Sequence, residues 1–290
     1  MPRRFVLVLS LACSLSAGCV QVTVRPNPKL VPRPLPTTFD NKDWATVLRD
    51  HVKGGLVDYD GLTRDRDPLD RYYALISAMG PNTAPDQFPT RSHKMAYGIN
   101  AFNALVLCAV LEDANRPSMY DIAMPPFESG PTFLLDGVST TLRALEDRLL
   151  RESNGDVRVI FALSRAAMGG PGLGFEPYRA ELIERQLQEA AANALDNPHL
   201  FQVDHQQHAV FVWLAILERQ NEFFDYWQAR RRTRAPTLLS VLADMGSPRC
   251  RQSLSRAVGY AVRIMPFDRR LNRWGPLPGG GAAGRDSAVR

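Results

Sequence analysis

The longest unbroken apolar stretch runs from Met95 to Leu111, where only Gly98, Asn100 and Asn103 interrupt the hydrophobic positions. An apolar surface on every side predicts a buried helix, from a cap at Ser92 to about Asp113. Asn100 and Asn103 lie one turn apart on one face and argue against a membrane span. Buried amides need partners, so they either pin a neighbouring loop or face a pocket. Elsewhere the spacing predicts helices over 40–53, stopped by Gly54-Gly55, and over 68–79, opened by Pro68. A short strand at 133–135 turns at Asp136-Gly137, and Ser139 then caps a helix to about Arg151. The run 157–163 reads as a strand, 168–174 as a glycine-rich loop and 176–195 as a strong helix. Residues 200–204 and 209–213 read as a hairpin around His205–His208. Helical pieces follow at 214–228, 236–245 and 248–257, before a last strand at 258–265. The order has no βαβ rhythm. It predicts an α+β fold: a helix-rich single domain with a small, mainly antiparallel sheet.

The two ends read differently. Arg3 and Arg4, the apolar run Phe5–Leu15 and the small residues Ser16-Ala17-Gly18 before Cys19 have the order of a signal peptide over 1–18. The small-small-Cys ending resembles a bacterial lipobox, with Ser16 where that motif usually has Leu. It makes Cys19 the candidate lipidation site, with ordinary secretion as the alternative. Residues 19–39 carry Pro26, Pro28, Pro32, Pro34 and Pro36, and predict an extended tether that holds a domain at 40–273 off the membrane. The Gly- and Ala-rich stretch within 274–290 predicts a disordered tail. The expected location is the bacterial envelope, facing the periplasm.

Charge and cysteines refine this picture only slightly. Residues 226–290 hold thirteen Arg, no Lys and three acids, a balance of +10 within a chain of net charge +5. Such a segment can meet anionic lipid, or reflect a chain in which Arg is simply common. Beyond the signal and Cys19, Cys108 and Cys250 remain; spacing leaves open whether they pair or are two buried apolar residues. No G-x-S-x-G, H-E-x-x-H, C-x-x-C or P-loop occurs. The Gly169–Gly174 stretch lacks the lysine and spacing of a phosphate loop. His205 and His208 have no nearby Cys or third His to complete a metal site, and although Asp204 could join them, histidines of a surface turn are far commoner, so no metal and no cofactor is expected. No aromatic-basic interleaving points to nucleic acid.

Several segments resemble the domain-of-unknown-function 547 (DUF547) family, over roughly 40–272. Val57-Asp58-Tyr59 is similar to its early V-D-Y stretch, and Tyr97–Leu105 (YGINAFNAL) to its W-I-N-A-Y-N-A-L helix. Leu142–Arg151 resembles L-x-x-I-E-H-x-x-L-R, and Asp156–Leu163 resembles D-P-R-I-H-F-A-L. Pro266-Phe267-Asp268 with Leu271-Asn272 resembles Y-D-W-x-L-N. The departures are chemical. Where the family has a strand His this chain has Ile160, and the His of the E-H pair is Asp147 beside a retained Glu146. The family loop N-C-A-S-x-S-C-P reads here from Ser164 to Pro171, with Arg165 and Gly170 at the two Cys positions. A thiolate with a His base suits nucleophilic chemistry; neither group is present at these positions.

The signal order and the resemblance together imply a lipid-anchored, non-catalytic binding or structural module with no catalytic residue. The alternative is a hydrolase or transferase that uses other residues of the same cleft. Asn100, Asn103, Glu146, Arg158, Ser164 and Tyr178 are the candidate pocket residues. The expected partners are the membrane, through the lipid, and a small molecule or protein whose identity the sequence leaves open.

Overall fold

The computed structural model describes residues 23–112, 131–233 and 237–274. The predicted signal peptide, Cys19 and the stretch beyond Trp274 lie outside the described residues. The fold is a helix-rich α+β arrangement with three small sheets. Strand β1 (Thr23–Val24) comes first, then α1 (Lys42–His51), β2 (Val52–Lys53), β3 (Leu56–Val57), α2 (Tyr59–Arg64) and α3 (Asp67–Ala78). Next are α4 (Arg91–Glu112), β4 (Thr132–Leu135), β5 (Val138–Thr141), α5 (Leu142–Glu152) and α6 (Val159–Ala162). The rest is α7 (Ile183–Asp196), β6 (Phe201–Asp204), β7 (Ala209–Val212), α8 (Leu214–Glu218), α9 (Gln220–Arg231), α10 (Leu238–Met245), α11 (Pro248–Ser255) and β8 (Ala261–Ile264).

The predicted central helix is α4, and it runs through the middle of one continuous core. It is long and apolar enough to cross a membrane, but its apolar window is 94% buried inside the fold. A helix apolar all round is stable only where every side has a partner. Here α3 and α5 supply two of them. Gly98 lets α5 approach closely, since a Cβ there would lie 2.5 Å from Leu149 Cδ2. The first-turn N–H of His93 is capped by Thr90 Oγ1 at 3.3 Å. The expected cap, Ser92, lies inside the helix.

Sheet β1-β4-β5 joins β1 parallel to β4, and β4 antiparallel to β5 through a turn at Asp136-Gly137. Both turn residues have positive φ, the conformation a tight hairpin demands. Sheet β6-β7-β8 contains the predicted hairpin, with β8 added parallel to β7. Cys108 and Cys250 are both buried free thiols.

Five expectations are corrected. Gly54-Gly55 is not a helix stop but the turn of the β2-β3 hairpin, with φ of 58° and 82°. The cap of α5 is Thr141, whose Oγ1 accepts from the Ala144 N–H at 3.1 Å; Ser139 is in a strand. The run 157–163 is not a strand. It forms the short helix α6, opened by three successive i→i+3 bonds from Asp156 to Phe161. An apolar run buried on all sides carries no period by which to tell strand from helix. The helix expected from Glu176 starts only at Ile183, because side chains of the core take the backbone groups of Tyr178 and Arg179. Finally, the Pro-rich segment does not begin as a free tether. Thr23-Val24 pairs with β4, the Tyr73 hydroxyl donates to the Val24 carbonyl at 2.7 Å, and Val24 is buried.

Candidate functional site

Both amides of α4 are hydrogen-bonded through oxygen and nitrogen. Asn100 Nδ2 donates to the Tyr178 carbonyl at 2.8 Å, while its Oδ1 accepts from the Tyr178 N–H at 2.8 Å and from Trp44 Nε1 at 3.2 Å. Asn103 Nδ2 donates to the Ala162 carbonyl and its Oδ1 accepts from the Ser164 N–H, both at 2.9 Å. Each amide thus clamps one end of the segment from 162 to 178, which contains the glycine-rich loop.

That loop forms one wall of a cavity of about 600 Å³. The opposite wall is α7, through Gln186, Glu189, Ala190 and Asn193, with Gly54 and Gly55 closing one side. The loop and the β2-β3 turn approach so closely that a Cβ on Gly172 would lie 3.0 Å from Gly55 Cα. Asn272 holds this corner: its Nδ2 donates to the Gly55 carbonyl at 3.3 Å, its Oδ1 accepts from the Tyr59 hydroxyl at 2.7 Å, and its N–H bonds the Ala166 carbonyl. The early V-D-Y segment, the glycine loop and the closing Leu271-Asn272 segment, far apart in sequence, therefore meet at the cavity.

Of the six candidate residues, Tyr178 lines the cavity and the other five are not among its lining residues. Glu146 and Arg165 form a buried ion pair, 2.9 Å between Arg165 Nη2 and Glu146 Oε1, and Arg219 Nη2 reaches the same oxygen at 3.2 Å. The Arg165 guanidinium also lies over the rings of Phe102 and Trp213. Burial pushes the Glu146 carboxyl up, but the charges of Arg165 and Arg219 outweigh it and hold the group below its ordinary range. Arg158 is a brace: it grips Asp156 through Nε at 2.9 Å and Glu184 through Nη2 at 2.7 Å, tying α6 to α7. Ser164 is buried, and its hydroxyl accepts from the Ala166 N–H. Ile160, where the resemblance expects a His, is completely buried. A Cβ on Gly170 would lie 2.6 Å from Arg165 Cβ, so the two positions at which the resemblance expects Cys are in direct contact.

Two cavity residues carry chemistry that the sequence did not flag. Glu176 receives a hydrogen bond at 3.3 Å from Nε2 of Gln186, itself buried. His199 lies with Nδ1 3.4 Å from Asp268 Oδ2. Hydrogen bonds from Arg270 hold the Asp268 carboxyl below its usual range. No local motif marks either residue; only the fold brings His199 to Asp268. Among the described residues, no group of three His, Cys, Asp or Glu is placed to hold a metal.

Residues 85–193 match the family described as protein of unknown function, DUF547. That stretch includes the helix with Asn100 and Asn103, the Glu146 segment and the glycine loop; the Val57–Leu62 and Pro266–Asn272 resemblances fall outside it. Neither the curated proteins nor the solved structures contain a match to the chain.

Proposed function

Residues 85–193 make this chain a carrier of a DUF547 domain, and from that premise we propose that it is an exported, lipid-anchored envelope protein whose domain binds a ligand without reacting with it. The observation that carries the reading is the Arg165–Glu146 ion pair. It fills, with a buried and neutralised cation, the position at which the resemblance expects a thiol. Gly170 and Ile160 offer neither nucleophile nor base, and Ser164 is buried with no histidine in its segment. A cavity nonetheless stays open beside these positions. The anchor rests on the basic, apolar, small, Cys order up to Cys19, which would face the domain into the periplasm with its partner a small molecule or protein.

The test is a panel of thiol- and serine-directed hydrolase probes on the purified protein, beside a relative that retains the His and Cys. The relative should label and this chain should not; stoichiometric labelling lost in Ser164→Ala would sink the reading. One observation favours a second reading, a hydrolase or transferase acting through other residues. His199 beside Asp268 is a paired imidazole on the cavity wall, and such a pair can take a proton from water or a hydroxyl. Turnover of an ester or amide that vanishes in His199→Ala would favour it.

A further inference from the structure

The walls of the cavity carry acidic side chains with no Lys or Arg among their described lining residues. Thirty-five of the 290 residues are Lys or Arg, yet among the described residues none of them lines the cavity, while Glu176 and Glu189 do, with His199 as the other titratable side chain besides Tyr178. Resting on the reading of this domain as a binding module, we propose that the cavity binds a short extended peptide through a lysine-type primary amine, with Glu176 as its counter-ion.

Glu176 is set for this role by its neighbours. Gln186 Nε2 donates to Glu176 Oε1 at 3.3 Å and to the Pro177 carbonyl at 3.0 Å, while its Oε1 accepts from the Arg179 N–H at 2.9 Å. All three contacts fix the turn that presents the carboxylate. No cation pairs with Glu176 among the described residues, although a carboxylate can accept about four hydrogen bonds. Glu189 adds a second negative charge one wall away. Among the described residues its ion pair is with Arg185 at 3.5 Å, with both side chains largely exposed, a kind of pair that water screens and a ligand can displace.

The remaining walls suit the rest of such a ligand. Leu56, Phe161, Leu173 and Ala190 offer apolar surface to an alkyl stem. Gly172 and Gly174 are part of the wall, and neither N–H appears in a backbone hydrogen bond. Unused backbone donors on one wall match the carbonyls of an extended peptide. The exposed Asn193 amide on α7 can serve the same backbone from the other side. A free polyamine would use the carboxylates and leave these donors idle, which is why a peptide is the better occupant.

The experiment is fluorescence anisotropy with the full chain in detergent and three labelled pentapeptides, Ala-Ala-Lys-Ala-Ala, its Nε-acetylated form and Ala-Ala-Glu-Ala-Ala. The amine peptide should bind at least about 10-fold more tightly than the acetylated one at low salt, and the gap should shrink as salt is added. Glu176→Gln should reduce the preference to under about 2-fold, as expected when one charge pair is removed. Asn193→Trp, an exposed helix position at which a large ring narrows the cavity, should abolish binding of all three. Equal affinity for the amine and acetylated peptides, still blocked by Asn193→Trp, would overturn the charge assignment while leaving a binding cavity. Binding of spermidine but of no peptide would overturn the peptide assignment. The hydrolase probes report separately on catalysis, so failure of one reading leaves the other identifiable.

Discussion

Arg165 and Glu146 come from segments that meet only in the folded chain, yet their side chains are 6% and 4% exposed and 2.9 Å apart. Two charges taken from water together are held by their mutual attraction; removing one leaves the other buried and uncompensated. Glu146→Ala should therefore cost about 3–5 kcal/mol, far more than a surface change. The pH dependence has a definite sign. The folded Glu146 carboxyl lies below its ordinary range, so its contribution is fully present above the unfolded value of about 4.3 and is lost as the pH falls through the lower folded value. Urea midpoints of the native protein and of Glu146→Gln should converge as the pH is lowered from about 7 to about 3. A gap that stays constant with pH would show that the carboxylate's charge contributes nothing.

Asn100 and Asn103 each satisfy two backbone groups of the segment that forms the cavity wall. Replacing either by Ala strands a buried donor and a buried acceptor, which should cost about 1–3 kcal/mol. Because Asn100 holds Tyr178 and Asn103 holds Ser164, both changes should also weaken ligand binding without touching the ligand. Chemical denaturation gives the first effect, and losses below about 0.5 kcal/mol at both sites would contradict the clamp.

Those amides also mark how far the sequence could be read. Two polar residues in an apolar helix implied partners, and α4, α3, the 201–212 hairpin and α10 followed from period, Pro68 and turn residues. What escaped was decided by distant contacts. The 157–163 run is buried on every side, Arg158 included, so pattern could not choose between strand and the helix α6. The 176–182 stretch looks helical, but Asn100 and Gln186 claim its backbone. Glu176 and His199 look like ordinary surface residues until Gln186 and Asp268 are placed beside them.

The docked start of the chain sharpens the anchoring proposal. Thr23 follows Cys19 by four residues, a reach of at most about 14 Å for extended chain. An acylated Cys19 would thus keep the β1-β4 edge near the bilayer instead of at the end of a long tether. Cys19→Ser should move the protein from the membrane to the soluble fraction. Val24→Asp puts a charge into a buried strand and should free the segment behind it, so that trypsin cuts faster after Lys29. An unchanged cleavage rate would mean that β1 does not hold the segment down.

Gly170 and Arg165, where the resemblance expects two Cys, are tightly packed against each other beside the cavity. A Cβ at Gly170 would lie 2.6 Å from Arg165 Cβ and 2.9 Å from its Cγ. Real contacts of that kind require backbone to move, because Cβ atoms are not the flexible ends of side chains. Arg165 cannot give way easily, since its guanidinium is tied to Glu146 and stacked on Phe102 and Trp213. Gly170→Ala should therefore destabilise by about 1–3 kcal/mol through overpacking. Arg165→Gly removes the obstructing carbons at its own cost, the stranded Glu146. In the double variant the overpacking term should vanish, so the combined loss should be smaller than the sum of the single losses. A double-mutant cycle by urea denaturation measures this coupling, which should exceed about 0.5 kcal/mol. Strict additivity would mean that the loop relaxes around an added methyl, and that the two positions are not structurally linked.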